Sequence, residues 1–472
     1  MTTLLSAIHP LSASPVSSAT DNDDPAREPL WRAERCGLAI LIVLALAYGG
    51  LVVYRSAFLE RPLTDLGCFL HAAWAVRTGN DIYAVTFNGC YYCYPPLLAI
   101  LLVPLALPPA GADQTWMLPL VYSSAIWYFL NVGLAAWGVH RLAGALEENA
   151  GSLVLSGSRQ WWLLRTAPIW ACLVAIGSAQ GHGQSNLLLL ALACAMIAAF
   201  TRGQRFQAGL WMAGAICVKI FPLFLLIYPL WRRDWRCLAG CTVGLLLGLF
   251  VIPSMVFGPT RAMAYNRTLV TAVVLPALGD GADNSRAETL TNITATDTQS
   301  FMAMLHNAIY LDRDARPPQV SSLVFRLHLF IAATLTLLTL YAGGWNRSAS
   351  AAKETMFIGM LLFLMMMTSP VCHLHYFPWL IPLLMGLIQW QWQPGETQHL
   401  SVGWIGLFVV NNAAHIMAHL REDPAMLVVR DLCLCSYVGL TIWLLGWIYL
   451  MQAKEPGRSR PLQVLAHDSN DV

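Results

Sequence analysis

Apolar runs of about 20 residues recur along the whole chain, and they constrain its fold more than any other feature. A helix of about 20 apolar residues is long enough to cross the hydrocarbon core of a bilayer. Charged residues make up only 11% of the 472 residues, whereas roughly 25% is usual in soluble domains. The sequence therefore predicts an all-α fold, a polytopic bundle of about 11–13 membrane segments.

Eleven runs are predicted to span the membrane, and two other features interrupt the pattern. Residues 95–109 contain five prolines, which predict a short or re-entrant segment because proline breaks helices. Lys219 and Pro222 divide the run 207–230, which is interpreted as two half-spans. The predicted spans are 37–56, 118–140, 162–178, 184–200, 207–230, 236–256, 321–342, 355–369, 375–391, 402–419 and 431–451.

The distribution of Lys and Arg between short loops predicts the orientation of the chain. If 95–109 returns to the far side and 207–230 breaks there, most loop cations lie in the cytoplasm. The long loops 57–94 and 257–320 are then extracytoplasmic, as they also are if both segments span fully. The predicted parts are a disordered cytoplasmic tail (1–36), an integral membrane domain (37–451) and a second cytoplasmic tail (452–472).

A carboxylate, Asp65, stands near the start of the first long loop, soon after the first span. A helix over about 65–78 is expected to lie along the interface, and Asp65 either caps it or has a chemical role. Asp81 is the rival carboxylate, although a turn or cap is enough to explain it. The tyrosines that follow either form an interfacial belt or stack on a sugar ring; they are Tyr83, Tyr91, Tyr92 and Tyr94.

Polar side chains also stand at the mouths of later spans. Gln184 and Asn186 open one apolar run, and Lys219 lies within another. A mid-membrane lysine costs about 2.5–3.5 kcal/mol, so it normally faces a cavity or an anion, although it can also extend to the interface. The other candidates are Gln299, Ser300, His373 and His375, and the two histidines suggest either a metal site or hydrogen bonds to an anion or sugar.

Cys68, Cys90 and Cys93 are concentrated in the first long loop. The "CYYC" pair is compatible with a disulfide or with half of a metal site. No second pair of Cys or His follows at zinc spacing, so a metal is disfavoured. The chain has no basic run, which argues against nucleic acid as a partner.

Six segments taken in order resemble glycosyltransferase family 87, whose members have the C-type membrane fold and use polyprenyl-phosphate mannose. They are "TDLGCFLHAAWAVRTGNDIY", "YPPLLAILLVPLALPP", "GQSNLLLL", "GAICVKIFPLFLLIYPLWRRDWR", "TQSFMAMLHN" and "SPVCHLHYFPWLIPLL". The resemblance implies that Asp65 is the general base and that His375 faces the donor phosphate. It implies substrate contacts for Gln184, Asn186, Lys219, Gln299 and Ser300. Tyr94 and His373 are further candidates for substrate binding.

These roles predict the transfer of a hexose, with inversion, to an acceptor hydroxyl at the extracytoplasmic face of the inner membrane. The resemblance implies that the hexose is mannose. The expected partners are the bilayer, a polyprenyl-phosphate sugar and a glycan, glycolipid or protein acceptor. A cation near the phosphate would stabilise its growing charge; Lys219 and His375 are the candidates, with Arg61 or Arg77 as alternatives. If Lys219 and His375 neutralise the phosphate, no divalent metal is required, and no cofactor is expected. The alternatives are a transporter of a lipid-linked sugar and a transferase of another sugar, such as a pentose.

Overall fold

The computed structural model describes residues 28–59, 64–112, 116–149, 157–278, 286, 298–346, 350–392, 402–420 and 424–452. Most of the two predicted tails lies outside these residues. The first helix begins at Glu28, so the part of the predicted N-terminal tail from 28 to 36 is helical.

Helices make up most of the described chain, which confirms the predicted all-α class. In the first half, one antiparallel hairpin joins β1 (Thr86–Phe87) to β2 (Cys90–Tyr91). The helices of this half are α1 (Glu28–Phe58), α2 (Thr64–Thr78), α3 (Pro96–Leu101), α4 (Leu120–Glu148), α5 (Arg159–Ala171), α6 (Leu173–Gly181), α7 (Asn186–Thr201), α8 (Arg205–Val218) and α9 (Ile227–Trp231), with 3₁₀ turns at Val103–Leu105 and Phe221–Leu226.

The second half contains helices of more varied length, some of them continuous through wider π-helical turns. They are α10 (Trp235–Leu245), a π turn (Leu246–Val251), α11 (Ile252–Phe257), α12 (Pro259–Leu269), a π turn (Val270–Val274), α13 (Leu275–Ala277), α14 (Phe301–Ile309), α15 (Ser322–Gly343), α16 (Ala351–Met367), a 3₁₀ turn (Leu374–Leu380), α17 (Ile381–Gln391), α18 (Val402–His419), α19 (Pro424–Asp431) and α20 (Leu434–Gln452).

By length and composition, five of the described helices can cross a membrane, and a sixth span results if α5 and α6 count as one. Those two helices meet at a bend of 60°. The other predicted segments contain helices that are shorter or interrupted, such as α7. The chain is a multi-pass membrane protein. The five long helical stretches are Glu34–Ser56, Leu120–Glu148, Trp235–Phe257, Ser322–Gly343 and Leu434–Gln452.

Both predicted interruptions are present in the structure. Helix α3 has six residues, which gives a length of about 9 Å, far less than the roughly 30 Å of the hydrocarbon core. Helix α8 ends at Val218, and Lys219 follows with extended backbone angles (φ −152°, ψ 134°). Pro222 has no N–H to continue the α-helical ladder, so a 3₁₀ turn takes over.

Helix α2 lies where the sequence places it, but it is not an interfacial helix with one wet face. Its residues from Leu66 to Ala73 are buried all round. The segment after α3 returns to it, since the Leu107 N–H donates to the Leu70 carbonyl at 3.1 Å. Gly67 admits the Phe87 ring so closely that an added Cβ would lie 2.3 Å from it. The hairpin and the segment after α3 therefore cover α2.

Candidate active site

Lys219 is the centre of the candidate site, and the chain break at the end of α8 positions it there. Its side chain is buried, with 4% of the residue exposed. The ammonium Nζ lies 3.3 Å from Asn186 Oδ1 and 3.5 Å from Gln184 Oε1. The structure thus brings together three predicted residues, two of which lie at the start of α7 and more than 30 positions before the lysine.

Aromatic rings complete the surroundings of the ammonium group. Nζ lies 4.3 Å from the Tyr376 ring centroid and 5.4 Å from that of Tyr94. Phe221 and Trp379 stand at 5.5 Å and 6.0 Å, distances at which a ring face attracts a cation. The Tyr94 hydroxyl donates to Gln184 Oε1 at 3.5 Å, so this tyrosine contacts the group around Lys219.

Asp65 provides the negative charge beside this group. It is half-buried in the first turn of α2, where the helix dipole stabilises a carboxylate. The helix begins at Thr64, so Asp65 is inside it and is not the capping residue. Its charge interacts electrostatically with Lys219. Burial, and next the Asp65 carboxylate, raise the pKa of the Tyr94 hydroxyl.

The described residues provide no ion pair for Lys219 within 4 Å. Its close polar partners are two amide oxygens, which are neutral. The cation is consequently buried among groups that attract it but do not cancel its charge.

Three histidine rings continue the site next to the lysine. Asn186 Nδ2 donates to the His375 carbonyl at 2.8 Å, and this bond fixes the 3₁₀ turn against α7. The His375 ring stacks on His373 at 4.8 Å between centroids and approaches His182 at 5.3 Å. The sequence reading missed His182, although it stands two positions before Gln184 in "GHGQSN".

The tautomer of His182 is set by its own helix. Its Nδ1 lies 2.8 Å from the Ser178 carbonyl, which is an acceptor only, so Nδ1 carries the proton of this bond. In the neutral ring Nε2 then has a free lone pair.

Gln299 and Ser300 contact the strip of residues 370–373, which leads into the 3₁₀ turn that contains His375. The Gln299 N–H donates to the Cys372 carbonyl at 2.5 Å, and its side-chain Nε2 donates to the Arg430 carbonyl at 3.1 Å. The Ser300 hydroxyl donates to the Pro370 carbonyl at 2.8 Å and accepts from the Ala303 N–H at 3.1 Å. These two residues hold residues 370–373 in place, and no described contact joins them to Lys219.

The remaining residues of the first loop have structural partners. Asp81 Oδ1 accepts from the Tyr83 N–H at 2.9 Å, which is the turn contact expected of this rival carboxylate. The hydroxyls of Tyr83 and Tyr92 donate to the carbonyls of Tyr94 and Pro95. All twelve cysteines are free, so "CYYC" is not a disulfide here. Among the described residues, no cluster of His, Cys, Asp or Glu is able to hold a metal ion.

Comparison with known proteins decides the class of the molecule. The model of glycosyltransferase family 87 matches residues 92–370, more than half of the chain. The chain belongs to glycosyltransferase family 87. It is therefore a membrane glycosyltransferase, and the transporter alternative is set aside. The matched range includes Tyr94 and Lys219, whereas Asp65, His373 and His375 lie outside it.

Two curated relatives cover most of the chain. A polyprenol-phosphate-mannose-dependent alpha-(1-2)-phosphatidylinositol mannoside mannosyltransferase of Mycobacterium tuberculosis is 27% identical over 93% of this chain and 94% of its own length. A polyprenol-phosphate-mannose-dependent alpha-(1-2)-phosphatidylinositol pentamannoside mannosyltransferase of Mycolicibacterium smegmatis is 24% identical over 79% and 80%. Among solved structures, ArnT from Cupriavidus metallidurans bound to undecaprenyl phosphate is 16% identical, covers 86% of this chain and 77% of its own, and has a TM-score of 0.37.

Proposed function

We propose that this family 87 enzyme transfers mannose from polyprenyl-phosphate mannose to a hydroxyl group of a lipid-linked mannoside, with inversion at the anomeric carbon. The names of the two relatives support the mannose donor and a phosphatidylinositol mannoside as acceptor. The observation that carries the proposal is the buried Lys219, which has only neutral close partners and a carboxylate in electrostatic range.

Lys219 receives the donor phosphate in this proposal. A buried charge without an opposite charge costs free energy, and a ligand of opposite charge offsets that cost. The negative charge on the phosphate grows as its bond to the sugar breaks, and a fixed cation stabilises this change. His375 stands on the same side and supplies a further hydrogen-bond donor to the leaving oxygen atoms, whereas the free Nε2 of His182 accepts a hydrogen bond from a sugar hydroxyl.

Asp65 acts as the general base. The acceptor hydroxyl is a weak nucleophile, and a carboxylate within hydrogen-bond reach takes its proton as the new bond to C1 forms. One displacement converts a β-linked donor into an α-linked product. Tyr94, Gln184 and Asn186 orient the sugar and the lysine, while Gln299, Ser300 and His373 maintain the strip that carries His375.

The extracytoplasmic face of the inner membrane is the proposed location of this chemistry. The excess of Lys and Arg in the short loops on the opposite side supports that orientation. A site at the membrane surface allows a lipid-anchored donor and a water-side acceptor to meet.

The test is transfer of labelled sugar in membranes that contain Asp65→Asn or the matched control Asp81→Asn. General-base removal is expected to lower kcat about 10³-fold, whereas the control keeps activity within about twofold because its carboxylate serves a turn. Both variants should retain the wild-type melting temperature. Normal turnover by Asp65→Asn, or unfolding of this variant, would refute the assigned base.

Two further experiments test the identity of the donor sugar and the need for a metal ion. A polyprenyl-phosphate pentose offered beside the mannose donor tests the sugar, and preferential use of the pentose would overturn the mannosyl assignment. We also propose that the lysine and histidines make a divalent metal unnecessary. EDTA should leave the rate unchanged, and strong inhibition that Mn²⁺ or Mg²⁺ reverses would contradict this.

A further inference from the structure

A cavity of about 420 Å³ lies beside the first helix, between α1, α4, α5 and α6. Its walls are mainly aliphatic, with Leu41 and Ala45 on α1 facing Val132 and Ala136 on α4. The lining on α4 extends from Tyr128 to His140, which is about 18 Å along a helix. The cavity is therefore long and narrow enough for a hydrocarbon chain.

The polar groups that border this cavity are largely occupied by protein partners. The Tyr48 hydroxyl donates to the Gly177 carbonyl at 2.9 Å, and the Tyr128 hydroxyl donates to the Ala45 carbonyl at 2.8 Å. Arg165 is neutralised by a two-pronged pair with Glu147 at 2.6 and 3.0 Å. The Arg165 end therefore offers no unpaired positive charge to an anionic headgroup, whereas its apolar walls can bind a hydrocarbon chain.

The other end of the cavity adjoins the candidate active site. Gln180 lines the cavity and precedes Gln184 by four positions. The turn between these residues is attached to α4, because Trp127 Nε1 donates to the Gly183 carbonyl at 2.8 Å. A chain that leaves the cavity at this end arrives at the turn that carries Gln184 and hence at Lys219.

Helix α1 gives this cavity a route from the bilayer. Its outer face exposes apolar side chains, among them Val43 (62%) and Leu46 (56%). Among the described elements it packs mainly on α4, α5 and α6. Such a peripheral helix admits a lipid from the side, and the chain that follows it leads within a few residues to Asp65.

We propose that this cavity binds the polyprenyl chain of the donor, with the phosphate at the end nearest Lys219. The inference rests on the proposed function for the identity of the headgroup. The donor is the proposed occupant because its phosphate leaves from the reacting anomeric carbon and so must lie at the active site, whereas the mannoside separates the phosphodiester of the acceptor lipid from its reacting hydroxyl. The neutral Arg165–Glu147 pair at the opposite end suits the chain terminus.

The test fills the cavity and varies the length of the donor lipid. Ala136→Phe places a ring in the cavity from α4, and Ala45→Phe does so from α1. The matched control is Gly133→Phe, because Gly133 is exposed on α4 and an added Cβ meets nothing within 4 Å. Melting temperatures establish that each variant is folded.

With a long-chain mannosyl donor, both filling variants should have a KM about tenfold or more above that of the wild type. With a donor of two isoprene units, their KM should stay within about twofold of the wild-type value. The control should behave like the wild type with both donors. Equal losses with both donors, no loss with either, or a KM increase confined to the acceptor lipid would each overturn the assignment.

Binding of long-chain polyprenyl phosphate without any sugar separates this inference from the proposed reaction. The filling variants should weaken its binding about tenfold relative to the control, whichever sugar the enzyme transfers. If the wild type transfers no mannose but shows this pattern, the proposed function fails and the cavity assignment stands. If mannose is transferred and polyprenyl phosphate binds equally to all variants, the cavity assignment fails alone.

Discussion

Two buried cations, Lys219 and Arg232, stand at the two ends of the segment 219–232, and their surroundings differ. Arg232 follows α9 and forms an ion pair with Glu354 at 2.9 Å. It also donates to the carbonyls of Gly343 and Asn346, and the Tyr228 hydroxyl donates to the same Glu354 at 2.5 Å. Lys219, which begins the segment, has amide oxygens and rings around it and no ion pair among the described residues.

On the proposed function, the difference separates a charge that maintains the fold from one that binds the donor phosphate. A buried ion pair is costly to disrupt, because the removal of one partner leaves the other charged and desolvated. A buried cation without an ionic partner contributes no such pair, so its removal relieves desolvation. We therefore expect Lys219 to contribute less to stability than Arg232, in agreement with the proposed role in binding an anion.

The largest effect is expected when the paired cation is removed. Arg232→Met should lower the free energy of unfolding by about 3–5 kcal/mol, since Glu354 is left buried and unpaired. Thermal unfolding in detergent or nanodiscs measures this loss. The double variant Arg232→Met/Glu354→Gln should recover a substantial part of it, and a double variant as unstable as the single one would contradict the pairing argument.

Removal of Lys219, which has no ion pair among the described residues, should lower activity without lowering stability. Lys219→Met is expected to reduce kcat/KM about 100-fold, which corresponds to roughly 2.7 kcal/mol of transition-state stabilisation. Its melting temperature should equal or exceed that of the wild type. Transfer assays and unfolding curves on the same preparations check both values. A clear loss of stability with normal specific activity would show that Lys219 is structural, as Arg232 is.

The sequence predicts the features that are local along the chain and misses those that depend on distant contacts. Proline content at 95–109 and the Lys219–Pro222 interval correctly indicate broken helices, because each acts on its own backbone. No local pattern reveals that residues 66–73 of α2 are buried on every side, because the groups that cover them, Phe87 and the segment that includes Leu107, are distant in sequence. The same limit applies to His182, whose neighbour His375 is far away in sequence.

Resemblance adds what local patterns do not provide, but it does not give each residue its contacts. It groups Gln184, Asn186 and Lys219 with Gln299 and Ser300 in one cavity. The structure brings the first three together around an ammonium group, whereas the last two bond to backbone atoms of the 370–373 strip and of Arg430. A substrate contact for Gln299 and Ser300 stays a prediction.

His182 tests whether an incompletely satisfied ring beside the lysine belongs to the chemistry. His182→Ala is expected to reduce kcat about tenfold with little change in stability, because its one internal bond is to a carbonyl of its own helix. His306→Gln is the matched control, since His306 bonds to the Pro317 carbonyl in the second long loop. If His182→Ala retains full activity, His182 has no part in the proposed reaction.

The smallest effect is expected at Ser300, where donor and acceptor functions of the hydroxyl are both used inside the protein. As the cap of α14 it resembles Arg232 more than Lys219, so Ser300→Ala should cost about 1 kcal/mol of stability and leave kcat/KM within about threefold. Ser321→Ala is a suitable comparison, because Ser321 caps α15 through the Val324 N–H. Similar losses of melting temperature in the two variants would identify Ser300 as a cap. A selective rise in KM for Ser300→Ala would instead place its hydroxyl on the substrate.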